Sequence, residues 1–206
     1  ILTAARLKAA RLKFVFPSVG ATENLMMCAS LIKGTTVLEN CAREPEIADL
    51  ARALRKMGAA VEGEGSPVIK ISGARELKGL KYEVMPDRIE TGTFMLVAAA
   101  AGGTLKLTNT NMALVEPLAR ALTRAGVRIF GGKNDITVIS SGGRPKPVSI
   151  VTGPHPGFAT DLQAPWMAFM ARAEGICDIT EAIFENRFMH AAELMRMGAD
   201  ITVMDR

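Results

Sequence analysis

Cysteine is scarce in this sequence and irregularly spaced. Cys28, Cys41 and Cys177 are the three cysteines among 206 residues, and no two of them form a C-x-x-C pair. An odd, widely spaced set is typical neither of a disulfide framework nor of a zinc site. We therefore expect reduced thiols.

Aromatic residues and long apolar runs are also few. One Trp, one Tyr and no basic run interleaved with aromatics leave little on which nucleic-acid bases would stack, although the formal net charge is +4. No apolar run approaches the roughly 18 residues that cross a bilayer, and the first residues, ILTAARLKAARLKF, lack the apolar region of a signal peptide. We expect no nucleic-acid and no membrane partner, a cytoplasmic location and small anionic ligands.

What the sequence does contain is a repeat. Thr22, Thr91 and Thr160 are spaced by 69 residues, and glycines recur at similar intervals. The glycines form two series: Gly34, Gly103 and Gly175, then Gly58, Gly126 and Gly198. A fixed period of this size predicts one supersecondary unit repeated along the chain.

Each copy predicts the same order of elements. A helix that is apolar on nearly every side comes first (LMMCASLI, FMLVAAAA or WMAFMARA), and such a helix is expected to be central and buried. A short strand, an amphipathic helix and one or two strands follow. In the first copy the amphipathic helix is predicted to begin at Pro45 and to end at Gly58. The third copy is predicted to be unfinished, with a last strand over ADITVMD that has no partner strand. The fold class is thus α/β, built of βαβαββ units.

This unit, together with six motifs in order along the chain, resembles the enolpyruvyl transferases of the EPSP synthase family, in the branch that acts on UDP-N-acetylglucosamine. The motifs are SVGATEN, AREPEI, PDRIETGTF, RPKP, PHPGFATDLQA and FENRFMH. The resemblance implies an inside-out α/β prism with six units in two lobes, of which about three are present. Residues 1–85 would be the last unit of the catalytic lobe, and residues 86–206 the first and most of the second unit of the other lobe. The remainder of the two-lobed enzyme would be the partner, and Pro86 a hinge. Without that remainder, one face each of LMMCASLI and WMAFMARA is expected to be uncovered.

The resemblance also implies a reaction. The enolpyruvyl group of phosphoenolpyruvate would be transferred to the 3′-hydroxyl of UDP-N-acetylglucosamine, the first committed step of peptidoglycan synthesis, with no metal and no cofactor. The family's catalytic cysteine would lie upstream of residue 1. Cys28 is therefore expected in the core of a buried helix, and Cys41 and Cys177 in strands.

Asp161 is the first candidate catalytic residue. Thr160 and Gln163 form a capping-box pattern, and an acidic residue in a first helical turn suits the helix dipole, so a structural role is one interpretation. The resemblance places Asp161 beside the substrate's 3′-hydroxyl, where it would accept the proton. The two interpretations are compatible.

The stretch SVGAT precedes a helix, where free backbone N–H groups favour an anion. By resemblance, Ser18, Val19 and Gly20 would hold the diphosphate of the UDP-sugar. Phe16 and Pro17 stand where some family members have a lysine before the serine. They are included in the expected substrate-binding set, with backbone contacts in place of a charged one.

The motif FENRF supplies the remaining candidates. By resemblance, Ile183 would contact the region of the N-acetyl group with Phe184 beside it, and Arg187 would face the anionic reaction centre as a second catalytic residue. A guanidinium binds carboxylate or phosphate in a bidentate manner. The alternative is structural, with Asn186 as a helix N-cap and Arg187 as a solvated residue in the first turn.

Two other functions remain open from the sequence. The shikimate-pathway enolpyruvyl transferase shares the expected fold, although SVGATEN and FENRFMH speak against it. A non-catalytic module that binds a UDP-sugar, or that packs against another chain, is the other alternative.

Overall fold

The structure, a computed structural model, describes residues 6–204. The chain divides into two compact units, Ile1–Met85 and Pro86–Arg206. Each unit has a hydrophobic core of its own. Of the helices described in these residues, none is long and apolar enough to cross a membrane.

The first unit packs two helices on one mixed sheet. Its elements are β1 (Arg11–Lys13), α1 (Val19–Ala29), β2 (Thr35–Glu39), α2 (Pro45–Met57), β3 (Ala60–Glu62) and β4 (Val68–Ser72). The strand order is β1-β2-β4-β3, in which β1 is parallel to β2 and β4 is antiparallel to both of its neighbours. Met26, Leu38, Ile47, Ile69 and Ile71 are fully buried between the layers.

The ends of α2 confirm the prediction from the sequence. Pro45 is the first helical residue, a position where its missing N–H costs no helical hydrogen bond. Gly58 ends the helix with φ of 110°, a left-handed conformation that glycine adopts without a Cβ clash.

The second unit contains the other two copies of the repeat. Its elements are α3 (Arg88–Ala101), β5 (Gly103–Thr108), α4 (Glu116–Arg124), β6 (Arg128–Gly131), β7 (Asp135–Ser140), β8 (Ile150–Val151), α5 (Gln163–Met170), β9 (Ile179–Thr180) and α6 (Met189–Arg196). Short 3-10 helices cover Met112–Leu114 and Thr160–Leu162. Strands β5, β7 and β6 form an antiparallel sheet in that order, and β8 pairs with β9 in parallel.

The third copy is less regular than the sequence predicts. Its strand β9 has two residues, and residues 199–204 form no strand, so the prediction of a strand over ADITVMD is wrong for the described part of that stretch. A strand is stable when a neighbour completes its backbone hydrogen bonds. No described strand pairs with residues 199–204.

The apolar helices are not equally buried. In α5, Trp166, Phe169 and Met170 are buried, as predicted. In contrast, α1 exposes Met27 and its continuation exposes Leu31, and α3 exposes Phe94 and Val97. The expectation of a central, buried helix is therefore wrong for one face of α3. The uncovered faces predicted for a chain without its remainder are confirmed for LMMCASLI in α1, whereas for WMAFMARA in α5 that prediction is wrong.

The cysteines also differ from their predicted positions. Cys28 is exposed beside Met27 on the uncovered face of α1, so its assignment to the core is wrong. Cys41 is buried but follows β2, and the half-buried Cys177 precedes β9. Both lie outside the strands to which they were assigned.

Candidate functional site

Asp161 and Arg187 form an ion pair in the second unit. Arg187 Nη2 donates to Asp161 Oδ1 at 2.8 Å. Asp161 lies in the 3-10 helix that leads into α5, and Arg187 lies between β9 and α6. Their side chains remain 49% and 36% exposed. A pair this exposed contributes little to stability, typically under about 1 kcal/mol, so it is accessible to a ligand without being needed for the fold.

Phe184 joins this pair. The guanidinium carbon of Arg187 lies 4.9 Å from the centre of the Phe184 ring, within the range of a cation–π contact. Ile183 is half-buried and directly precedes it. The structure thus brings together Asp161, Phe184 and Arg187, with Ile183 adjacent in the chain. A carboxylate, a guanidinium and an aromatic face suit a polar, anionic substrate.

Glu181 hydrogen-bonds the segments that carry these residues and was not among the sequence candidates. It is 5% exposed, and its carboxylate accepts hydrogen bonds from the Thr152 hydroxyl (2.8 Å), the Thr160 hydroxyl (2.8 Å) and the backbone N–H groups of Ile183 (2.8 Å) and Phe184 (3.1 Å). Burial by itself raises the pKa of a carboxyl, but the four donated hydrogen bonds together outweigh it and hold the pKa of Glu181 below its ordinary value. Glu181 is therefore a buried carboxylate near neutral pH.

The contact with Glu181 overturns the predicted capping box. The Thr160 hydroxyl donates a hydrogen bond to Glu181, and Thr160 lies inside the 3-10 helix, whose N-cap is Ala159. Gln163 is 1% exposed, and among the described residues neither its side-chain oxygen nor its nitrogen has a hydrogen-bond partner. Asp161 does lie in the first turn of the 3-10 helix. A contact 21 residues away in the chain therefore replaces the local cap.

Asn186 is not the helix N-cap that the alternative interpretation required. It has φ of 56°, in the left-handed region that asparagine tolerates, and α6 begins only at Met189 after Phe188. Arg187 accordingly precedes the helix and turns to Asp161. His190, in the first turn of α6, has a pKa lowered by burial and by the nearby Arg187 cation.

The predicted diphosphate segment lies in the first unit, at the start of α1. Ser18 is the N-cap, and its hydroxyl accepts from Ala21 N at 3.3 Å. Val19 and Gly20 are the first helical residues, whose N–H groups have no acceptor within a helix. A Cβ at Gly20 would meet no atom within 4 Å. Phe16 is exposed and Pro17 half-buried. This backbone is open to a ligand, and its role stays a prediction.

In the part of the chain that the structure describes, no group of three or more His, Cys, Asp or Glu side chains is arranged to hold a metal ion.

Comparison with known proteins defines the class. Residues 1–206 match the sequence profile of EPSP synthase (3-phosphoshikimate 1-carboxyvinyltransferase), so the chain belongs to this family. The fold is that of the enolpyruvyl transferases: the crystal structure of one from Streptomyces tendae superposes with a TM-score of 0.82 at 26% identity, over 94% of this chain and 48% of that one.

Curated relatives are more similar in sequence. A UDP-N-acetylglucosamine 1-carboxyvinyltransferase from Trichlorobacter lovleyi is 53% identical over 197 residues, which are 96% of this chain and 47% of the relative. A protein of the same name from Hyphomonas neptunium is 54% identical over 199 residues, again 96% and 47%. The chain thus spans about half the length of the curated relatives that it matches.

Proposed function

We propose that this chain is part of an enzyme that transfers the enolpyruvyl group of phosphoenolpyruvate to the 3′-hydroxyl of UDP-N-acetylglucosamine, the first committed step of peptidoglycan synthesis. The observation that carries the proposal is the identity of 53% and 54% to two relatives that bear the name of this activity. The two substrates are small anionic molecules, and we propose that the enzyme acts on them in the cytoplasm. In the same proposal, Ile1–Met85 is the last repeat unit of one lobe, and Pro86–Arg206 the first and most of the second unit of the other.

Asp161 is assigned the role of proton acceptor. A carboxylate is far too weak a base to remove an alcohol proton in advance, so it orients the hydroxyl and takes the proton as the new C–O bond forms at C2 of phosphoenolpyruvate. C3 gains a proton in the same addition, and phosphate then leaves from the tetrahedral intermediate. Arg187 donates to Oδ1 of Asp161. We assign the other oxygen, Oδ2, to the substrate hydroxyl, which leaves the ion pair intact during approach of the sugar.

Arg187 is assigned the anionic reactant. Its remaining N–H groups can donate to the carboxylate or phosphate of phosphoenolpyruvate while Nη2 keeps its contact with Asp161. The Phe184 ring against the guanidinium restricts how that side chain turns. Phe184 and Ile183 are proposed to form the wall for the N-acetyl region of the sugar.

The start of α1 is assigned the diphosphate of the UDP-sugar. Ser18, Val19 and Gly20 offer backbone N–H groups at the positive end of the helix dipole. Phe16 and Pro17, which bring no charge, limit this contact to the backbone.

Substrate choice tests the proposal. A protein of the relatives' length that contains this sequence, hereafter the full-length enzyme, is incubated with phosphoenolpyruvate and either UDP-N-acetylglucosamine or shikimate 3-phosphate, and phosphate release and product mass are measured. We expect phosphate release and an enolpyruvyl product when UDP-N-acetylglucosamine is the acceptor, and neither when shikimate 3-phosphate is. Turnover of shikimate 3-phosphate instead would assign the chain to the other branch of the family. Binding of the UDP-sugar without turnover would support a non-catalytic module.

A further inference from the structure

We propose that Glu181 is a positioning residue, which holds Asp161 and Arg187 in their relative places by fixing the two segments that carry them to one buried carboxylate. This inference rests on the proposed function, because its consequence is measured as turnover. It adds a residue that neither the sequence motifs nor the assigned catalytic roles include.

The two oxygens of Glu181 serve different segments. Oε2 accepts from the hydroxyl of Thr160, the residue directly before Asp161. Oε1 accepts from the N–H groups of Ile183 and Phe184, which precede Arg187 by four and three residues. A shift of either segment therefore stretches a hydrogen bond to the same carboxylate.

A third contact fixes the carboxylate itself. The Thr152 hydroxyl donates to Oε1 and in turn accepts from Ala182 N at 2.8 Å. Thr152 follows β8 and is 2% exposed. Hydrogen bonds to an ionised group are roughly twice as strong as those between neutral groups, so this network resists displacement more than a neutral one would.

The repeat shows that the fold alone does not require a carboxylate here. The positions equivalent to Glu181 are Asn40 and Asn109. Asn40 and Asn109 are 69 residues apart, and Asn109 and Glu181 are 72 apart, the same spacings that separate Gly34, Gly103 and Gly175. Both asparagines have φ of 58° and follow the strand of their own copy. The third copy differs at the position whose side chain hydrogen-bonds the segments that carry Asp161 and Arg187.

The repeated threonines lead to the same conclusion. In the first copy the Thr22 hydroxyl accepts from Ala42 N at 3.1 Å, and in the second the Thr91 hydroxyl pairs with that of Thr110 at 3.1 Å. Neutral groups thus connect the helix to the segment after the strand in two copies. The third uses the buried charge of Glu181 for that connection, although burying a charge is costly. Departures from a local rule are expected where a site, rather than the fold, sets the residue.

Two substitutions of the same type at equivalent positions test the inference in the full-length enzyme. Thr160→Val removes the contact to Oε2, and we expect kcat to fall by about tenfold or more, since a misplacement of about 1 Å at a catalytic group can cost as much as 10²-fold. Thr91→Val removes a buried hydroxyl pair in the same unit, and we expect kcat within about twofold of wild type below the unfolding temperature of both variants.

Substitutions of Glu181 give a readout that a purely structural role would not move. Glu181→Met removes all four acceptor contacts, and we expect kcat to fall by about 10²-fold. Glu181→Gln should restore most of kcat, because its carbonyl can take the three donors at Oε1 while its amide donates to the Thr160 hydroxyl. In an Asp161→Asn background, Glu181→Met should lower kcat by less than about threefold, because residues that act as a unit are not additive.

The outcomes separate the two proposals. An inactive wild-type enzyme would overturn the proposed function and this inference with it. An active wild type with unchanged kcat in Thr160→Val and Glu181→Met, or with equal losses in Thr160→Val and Thr91→Val, would overturn the inference alone. If Glu181→Met fails to fold, the comparison of the two threonine variants decides.

Discussion

Arg187 Nη2 lies 2.8 Å from Asp161 Oδ1, although the two residues are 26 positions apart in the chain. The contact joins the start of one helix to the segment that precedes another. Neither side chain is buried, so the pair contributes little to the free energy of unfolding. Under the proposed function, this contact holds a proton acceptor and an anion-binding group side by side.

The planar guanidinium of Arg187 predicts what replacement by lysine would do. Arg187→Lys keeps the charge but loses the planar array of donors, so we expect the KM for phosphoenolpyruvate to rise by about tenfold and kcat to fall. Steady-state kinetics of the full-length enzyme measures both. Arg196→Lys is the matched control, since Arg196 forms a highly exposed pair with Glu193 on α6. Equal kcat and KM values in the two variants would contradict the assignment of Arg187 to the substrate-binding site.

The open backbone at Gly20 predicts a separation of binding from stability. An added Cβ meets no protein atom within 4 Å, and alanine is favoured over glycine in a helix, so Gly20→Ala should leave the unfolding temperature unchanged or raised. If the diphosphate approaches this backbone, UDP-sugar affinity should nevertheless fall by about tenfold or more, because the methyl group occupies the ligand's place. Calorimetric titration and thermal unfolding, run in parallel, check this. Unchanged affinity would argue against a diphosphate at the start of α1.

The pKa of His190 should report on Arg187. Burial, then the Arg187 cation, lower the pKa of His190 from 6.5, so the imidazole is neutral at pH 7. A pKa that is lower in the folded than in the unfolded state means that the unfolded chain binds more protons. His190 therefore favours folding fully above about pH 6.5 and loses that contribution as pH falls through its folded pKa. An NMR titration of the imidazole should show the pKa rising in Arg187→Met, with burial keeping it below 6.5, and not moving in Arg196→Met. An unchanged pKa in Arg187→Met would contradict the cause assigned.

The polypeptide of 206 residues is expected to be inactive alone. It spans about half the length of its curated relatives, and it exposes the apolar side chains Met27 and Leu31 in its first unit and Phe94 and Val97 in its second. Uncovered apolar faces promote association. We expect no phosphate from UDP-N-acetylglucosamine and phosphoenolpyruvate, and concentration-dependent self-association in analytical ultracentrifugation. Sustained phosphate release that requires both substrates would contradict this prediction.

Sequence patterns predicted those helices and strands whose ends and order depend on residues nearby in the chain. The Pro45 and Gly58 signals gave both ends of α2, and the repeat gave the order of helices and strands in the first two copies. An uncovered face was predicted correctly for α1, but not which side chains it exposes, Cys28 among them, nor that α3 rather than α5 has the second one. Periodicity shows how apolar a helix is but not which neighbours cover it.

The site was predicted in part. Asp161, Phe184 and Arg187 were identified by their motifs and lie together, whereas Thr160 was assigned to a local cap and instead contacts Glu181 across 21 residues. A tertiary hydrogen bond to a buried carboxylate outweighed the local pattern, which no window of sequence around Thr160 reveals. One signal for Glu181 was present: aligning the repeats puts a glutamate where the other copies have Asn40 and Asn109.

The turnover of Asp161→Asn tests the central claim most directly. In the full-length enzyme the amide keeps the size of the side chain but cannot take up a proton, so we expect turnover of phosphoenolpyruvate with UDP-N-acetylglucosamine to fall by at least about 10²-fold, the usual contribution of a positioned acid or base. UDP-sugar affinity, measured by calorimetric titration, should stay within about tenfold of wild type, which separates loss of chemistry from loss of binding. Near-normal turnover in this variant would contradict the assignment of Asp161 as the proton acceptor.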